Sequence, residues 1–163
     1  DAEPRYGVDV QVIDDKLEVL VLEDRWRWDF KYLKRVLEDD PSFHLTAMLA
    51  RGGNAFLQMG EPDSKAELAG FPQSRAELEL FDVIVLGDVR PTRWPAKLAG
   101  AVADAVIEDG KSLIVVAGPA LGEFAKIPEL QSLLPVELSV DSASPVEGPL
   151  EVRKFFREFN QKK

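Results

Sequence analysis

Charged and aromatic side chains cluster at two points of this sequence, each directly after an apolar run. Carboxylates that crowd together can have shifted pKa values, act as general acids or bases, or bind magnesium. Arginine and tryptophan are enriched at binding hot spots. The candidate site residues are Glu23, Asp24, Arg25 and Trp26 at the first point and Asp88, Arg90, Arg93 and Trp94 at the second.

Each cluster is positioned by a segment whose composition predicts a buried strand. Val19 to Leu22 is apolar without polar alternation, and Phe81 to Asp88 has the strongest such pattern in the chain. This pattern is typical of parallel strands that are covered on both faces. The first strand leads into a predicted helix that Pro41 ends. The apolar positions of this helix are Phe30, Leu33, Val36 and Leu37.

Further strands and helices alternate along the chain. Phe43 to Ala50 and Ser112 to Ala117 predict strands, and the alternating residues Val136 to Val140 are typical of an edge strand. Ser74 and Glu77 have the spacing of a capping box, so a short helix is expected to begin there. The other predicted helices are Ala96 to Asp109, which Gly110 ends, a broken region from Leu121 to Leu134, and an amphipathic terminal helix from Leu150 to Phe159.

This alternation of strands and helices predicts an α/β fold. Right-handed crossovers give a doubly wound, flavodoxin-like, mainly parallel sheet with helices on both faces, which is a three-layer α/β/α arrangement. We expect the strand order 2-1-3-4 with an added edge strand. Sites in such folds lie at the carboxyl ends of the strands. Ala117 and Gly118, which follow the fourth strand, therefore join the candidate binding residues.

The two clusters should meet, because the first and third strands are neighbours in this order. We expect Trp26 and Trp94 to lie in one rim cluster with the arginines, bordered by the carboxylates. Such a surface would be partly exposed and would suit a protein partner or an anionic ligand. Trp28 is expected to turn inward as part of the core.

Two segments fall outside the regular alternation. Residues 51–72 form a connection much longer than the roughly 2 to 6 residues usual in α/β units. It is predicted to be either a lid or partner-binding loop over the strand ends, or an elaborated loop whose apolar residues cap the core.

Residues 1–15 predict an edge strand or the tail of a preceding domain, which leaves residues 16–163 as the α/β domain.

Composition excludes several classes of function. The chain has 163 residues, 45% of them hydrophobic, which suits a domain with its own core. Its formal net charge of −9 argues against binding nucleic acid, and no segment is apolar enough to insert into a membrane. It has no cysteine, and its one histidine, His44, has no zinc-ligand spacing around it. The glycines form no phosphate-binding loop. We therefore expect no metal and no cofactor.

Four segments together resemble class I glutamine amidotransferase-like domains, over roughly residues 16–140. They are residues 19–50, with the specific run RWDFKYLKRVL, and residues 71–89, 113–119 and 133–138. The resemblance is to the domains of large bacterial membrane-anchored proteins that also carry von Willebrand A-type modules. Catalytic members have a cysteine at the turn after the fourth strand and a later His-x-Glu pair. This chain has neither, so the resemblance implies the fold without the activity.

We predict a non-catalytic module that binds a protein partner, a neighbouring domain of the same chain or a small anionic ligand. The resemblance implies an extracytoplasmic position within a larger bacterial envelope protein. An alternative is an enzyme, or a receiver-like ligand or metal sensor, that uses Glu23, Asp24 and Asp88. A third interpretation is structural: Asp24 or Asp29 would cap the first helix, and Asp88 would order the loop that follows it.

Overall fold

The computed structural model describes residues 16–51, 55–60, 62, 68, 70–94, 97–124 and 126–136. The strand predicted within residues 1–15 lies outside this part of the chain. So do four of the five residues of the predicted strand Val136 to Val140, and the whole predicted helix Leu150 to Phe159. The other predicted strands lie within it, and so do the other predicted helices apart from Ala96 and Ala125.

Within the described residues, the centre of the fold is a sheet of five strands. Their order in the sheet is β3-β2-β1-β4-β5, and every neighbouring pair is parallel except β2 with β3. The predicted doubly wound α/β fold is confirmed, since the four predicted strands that lie in the described part of the chain have the predicted order. The strands are β1 Leu17–Glu23, β2 Phe43–Ala50, β3 Phe56–Met59, β4 Val83–Leu86 and β5 Ser112–Val115.

Helices connect the strands, and local signals set their ends. The helices are α1 Trp28–Asp39, α2 Arg75–Leu78, α3 Leu98–Ile107, α4 Leu121–Phe124 and α5 Pro128–Gln131, with a 3-10 turn at Pro91–Arg93. The capping box of α2 is present as predicted, because Ser74 and Glu77 bond each other's backbone. Gly110 has a φ of 70°, as a glycine after a helix should. In the described part of the chain, every helix is too short or too polar to cross a membrane.

Apolar side chains form one core on each face of the sheet. On one face α1 packs Phe30, Leu33 and Leu37 against Val19 and Val21. The other face carries a larger cluster that joins alternate residues of β1, β2 and β4 to α2, α3 and α5. The chain moves from β1 to β2 in one direction and from β4 to β5 in the other. Right-handed crossovers therefore place α1 and α3 on opposite faces.

The prediction that residues 51–72 form only a loop is wrong. Residues Phe56–Met59 are the antiparallel edge strand β3, which pairs with the end of β2. Gly60 follows it at a φ of 74°, and a Cβ there would lie 2.0 Å from the carbonyl oxygen of Leu45. This hairpin escaped prediction because all four residues of β3 are half-buried and show no apolar and polar alternation.

Candidate functional site

Three carboxylates lie at the carboxyl ends of β1 and β4, and all three are buried. They belong to Glu23, Asp24 and Asp88. An ionised carboxylate is costly to bury unless it is paired and hydrogen-bonded. Four arginines meet this need, and we call the seven side chains the rim network. Its members are Glu23, Asp24, Asp88, Arg25, Arg27, Arg90 and Arg93.

Asp24 holds the loop after β4 against the end of β1. Its Oδ2 accepts a hydrogen bond from Nε of Arg90 at 2.6 Å, and its Oδ1 lies 2.8 Å from Nε of Arg93. This bond to Asp24 raises the pKa of Arg90. Nη1 of Arg93 also donates to the carbonyl oxygen of Arg51 at 2.8 Å. One carboxylate thus organises the ends of three neighbouring strands.

Asp88 joins the end of β4 to the turn after β5. Its Oδ1 accepts the backbone N–H of Ala120 at 2.6 Å, and its Oδ2 accepts from Nη2 of Arg25 at 3.0 Å. The carboxylate fills the space over Gly118, because a Cβ on that glycine would lie 2.4 Å from Cγ of Asp88. Ala117, the other candidate in this turn, is exposed.

Glu23 stands between the other two carboxylates and fixes their backbone. Its Oε1 accepts the N–H groups of Asp24 and Asp88, each at 3.1 Å. Its Oε2 accepts from Nη2 of Arg27 at 2.8 Å. Burial acts to lower the pKa of Arg27, but the bond and the charge of Glu23 outweigh it, and the net shift is upward. Glu23 also fills the space beside Gly87, where a Cβ would lie 2.3 Å from its Oε2.

The interpretation of Asp24 or Asp29 as a helix cap is wrong. The residue at the cap position of α1 is Arg27, whose side chain makes no capping hydrogen bond, and Asp29 lies inside the first turn. Asp24 is instead paired with arginines of a different loop. The loop that Asp88 ties is the turn after β5, not the proline-containing loop that sequence suggested.

The tryptophans lie beside the rim network but pack against different cores. Trp26 is 57% exposed and meets Phe30, a residue of the α1 core, edge-on at 5.3 Å between ring centroids. Trp94 is half-buried and meets Phe124, which belongs to the opposite core, edge-on at 5.5 Å. The structure thus brings the predicted arginines and carboxylates together, while each indole packs on its own face of the sheet.

Trp28 is not in the core, which contradicts the sequence prediction. It is 68% exposed, stacks on Tyr32 at 6.1 Å, and has Nζ of Lys31 at 4.7 Å from its ring. Its place follows from helical geometry, because Phe30, Leu33 and Leu37 already define the face of α1 that meets the sheet. Trp28 lies outside that face.

Sequence reasoning missed Arg27 and the amide of Ala120. Arg27 follows Glu23 by four residues, and this spacing could have indicated their ion pair. No local pattern indicates that the amide of Ala120 contacts Asp88, because this contact depends on the path of the turn after β5. In the part of the chain that the structure describes, no group of three or more His, Cys, Asp or Glu residues is placed to hold a metal ion.

The fold and the rim network together define a doubly wound α/β domain whose strand ends are tied by paired arginines and carboxylates. Comparisons with protein-family models, with curated proteins and with solved structures find no match to this chain. The geometry of the site is therefore the basis for inferring a function.

Proposed function

We propose that this chain is a non-catalytic, amidotransferase-like binding module and that the rim is its binding surface. One observation carries the proposal. Arg25 and Arg90 are anchored to buried carboxylates, yet their side chains are 55% and 47% exposed. Trp26 lies exposed beside Arg25 in the same loop. An exposed indole next to exposed, anchored guanidinium groups has the composition of a binding hot spot.

The exposed donors of the rim network indicate the chemistry of the partner. The four arginines pair with the three buried carboxylates and, through Arg27, with the exposed carboxylate of Asp29 at 3.6 Å. Each carboxylate is already held by arginine, whereas the exposed guanidinium groups keep donors that face solvent. We infer a protein partner that presents carboxylates beside an apolar patch for Trp26.

Anchoring also favours tight recognition. A free arginine side chain loses conformational entropy when a partner immobilises it, at about 0.5–1.5 kcal/mol per side chain. Asp24 already restricts Arg90, and Asp88 already restricts Arg25. Part of the conformational entropy is therefore lost on folding and not on binding. The rim is therefore preorganised for binding.

The turn after β5 supports the non-catalytic part of the proposal. In the family that this sequence resembles, a cysteine would stand at this turn. Here the turn is Ala117-Gly118, and the carboxylate of Asp88 occupies the space that a side chain on Gly118 would need. We expect no release of ammonia from glutamine above a buffer blank, in material free of other amidases. Release that scales with the concentration of this chain would contradict this part.

The setting of the module is a proposal as well. We infer a larger bacterial envelope protein, in which the rim binds either a neighbouring domain of the same chain or a separate protein. This setting rests on the sequence resemblance, whereas the rim as a binding surface rests on the geometry above.

Photo-crosslinking in the cells that carry the gene tests the binding surface. Benzoylphenylalanine replaces Trp26 in one chain and Ile107 in a control chain. Ile107 is exposed at the end of α3 that leads into the start of β5, so it lies at the end of the sheet away from the rim. We expect one dominant adduct at position 26, and a different pattern or none at position 107.

A second substitution separates rim binding from chance contact. Arg90→Gln removes an exposed donor of the rim and should reduce the adduct at position 26 about fivefold or more, as for a hot-spot residue. Arg35→Gln removes an exposed arginine of α1 and should leave the adduct unchanged. Equal adducts at positions 26 and 107, or an adduct that Arg90→Gln does not reduce in a chain that still melts cooperatively, would contradict the proposal.

A further inference from the structure

One face of the sheet is covered unevenly by the described residues. There α1 covers β1 and β2, with Phe30, Leu33 and Leu37 inward. At the β5 end of the same face, Ile114 pairs in register with the buried Val85 and so points to the same side. Ile114 is nevertheless 52% exposed. A parallel sheet normally has both faces covered, so an isoleucine in the middle of its edge strand is an open apolar position.

On the opposite face of the sheet, the side chains of β5 are covered by helices. Leu113 and Val115, the neighbours of Ile114 along β5, pack against the larger core that α3 and α5 complete. Both are less exposed than Ile114. The open position is thus specific to the α1 side of β5.

The chain contains a segment with the properties that this position requires. Residues 150–159, which lie outside the described part, have apolar side chains at the spacing of one helical face, namely Val152, Phe155, Phe156 and Phe159. The last fourteen residues, 150–163, carry five lysines and arginines against two glutamates, in a chain whose net charge is −9. An apolar face with a basic surround suits an open apolar position on an acidic domain.

Length and reach are compatible with this placement. A ten-residue helix is about 15 Å long, and a four-residue strand such as β5 is about 13 Å long. Thirteen residues separate Val136, the last described residue, from Leu150. At about 3.3 Å per residue they can span roughly 45 Å, whereas five strands about 4.8 Å apart are roughly 20 Å wide. The segment can therefore reach either face.

We propose that residues 150–159 of the same chain dock as an amphipathic helix on the α1 side of β5, over Ile114. The apolar side chains of this helix cover the open end of that face, next to α1. This inference is independent of the rim as a binding surface.

Cysteine crosslinking in the full-length chain tests the docking, and the absence of natural cysteines makes the result easy to interpret. One chain carries Ile114→Cys with Phe156→Cys, and the control carries Ile107→Cys with Phe156→Cys. A docked helix holds the two introduced thiols of the first chain at a millimolar effective concentration. With a short bismaleimide and micromolar protein, we expect a crosslink within one chain for the first pair, at about five times or more the yield of the control.

Each other result overturns the proposal. A covalent dimer as the main product of the first pair would assign the open face to a second copy. Equal yields in both pairs would show a tail with no preferred position, and no crosslink in either would show that the segment stays away from β5.

A second measurement does not depend on crosslinking chemistry. In the Ile114→Cys chain, the rate of maleimide labelling reports how well position 114 is covered. Adding Phe155→Ser should raise that rate about fivefold, whereas Lys154→Ser, on the polar side of the predicted helix, should leave it unchanged. Equal rates in the two variants would overturn the proposal.

Discussion

At the scale of single residues, the rim depends on glycines that leave room for buried carboxylates. A Cβ at position 118 would lie within 2.6 Å of three atoms of Asp88. Gly118→Ala should therefore displace a carboxylate that also bonds Ala120 and Arg25, and destabilise the fold by about 1–3 kcal/mol, as overpacking does. Urea unfolding measures this difference in the free energy of unfolding.

Gly100 gives a matched control for this prediction. It lies within α3, and a Cβ there meets no atom within 4 Å. Gly100→Ala should stabilise the protein by roughly 0.5–1 kcal/mol, because alanine is the better helix former. If both substitutions changed the stability equally, the close approach of Asp88 to Gly118 would not be a feature of the folded protein.

The pairing of Asp24 gives a second prediction at this scale. Asp24→Asn keeps the shape of the side chain but removes the charge that holds Arg90 and Arg93. The side chain of Asp24 is buried while Arg90 is half exposed, so we expect a loss of about 1–3 kcal/mol rather than the full cost of a buried unpaired charge. Thermal and urea unfolding both report this loss.

A surface pair on α1 is the control for Asp24. Arg35 and Asp39 form an ion pair in which both side chains are mostly exposed. Asp39→Asn should change the stability by less than about 0.5 kcal/mol. A loss as large as that for Asp24→Asn would mean that general charge, and not the rim network, sets the stability.

Sequence predicted that the charged residues after β1 and β4 would be neighbours, but it missed Arg27 and did not show how each side chain is paired. The loops after β1 and β4 had to be neighbours once the strand order was known. That Asp24 would take Arg90 and Arg93, while Asp88 would take Arg25, depends on side-chain directions that no local pattern encodes. The same limit explains Trp28, because apolar character alone does not say which side of a helix meets the sheet.

At the scale of elements, an ion-pair cluster connects α2 to the end of α3. Arg75 pairs with Glu108 and Asp109, and its Nε donates to Oδ2 of Asp109 at 2.8 Å. The bond to Arg75 lowers the pKa of Asp109 below its ordinary value. A depressed carboxyl pKa contributes stability above the unfolded-state pKa of about 3.9, and this contribution is lost as the pH falls through the folded-state pKa.

This linkage predicts how Arg75→Gln will behave with pH. At pH 7 the variant should be less stable than the natural chain, and the difference should shrink as the pH falls from about 5 to about 3, because protonated Asp109 no longer needs Arg75. Urea unfolding over this range measures it. Arg35→Gln, from the exposed pair of α1, should show a small difference throughout. A difference for Arg75→Gln that stayed constant down to pH 3 would contradict the linkage.

Elements were predicted well where a strand lies in a mainly apolar run. β1, β2, β4 and β5 lie in such runs and were identified together with their order. β3 was missed because its four residues show no periodic pattern of apolar and polar side chains. It forms because its backbone pairs with the edge of β2, and this pairing leaves no mark in the local sequence. Val36 was counted with the apolar face of α1, yet it is 63% exposed, because three other positions already fill the contact with the sheet.

At the scale of the whole molecule, the central strand of the sheet is expected to be more stable against local opening than the strands at its edges. β1 lies between β2 and β4 and pairs with both, and its residues Val19 to Leu22 are buried. Among the described residues, β3 pairs only with β2 and β5 pairs only with β4, each along one edge. Strands that pair on both sides and are buried on both faces should open only with global unfolding.

Hydrogen exchange of the intact chain tests this order. The length and glycines of residues 51–72 predict that this is the least protected long segment, but β3 lies within it and its backbone pairs with β2. We therefore expect amides of β1 to exchange most slowly and those of β3 at an intermediate rate, since an edge strand can detach without opening the centre. If β3 exchanged as slowly as β1, the hairpin would unfold only with the whole domain.

The same measurement bears on residues 150–159. If the amides of β5 exchanged as slowly as those of β1 in the natural chain but faster in a Phe155→Ser chain, the protection of β5 would come from residues 150–159, because β4 covers only one edge of β5.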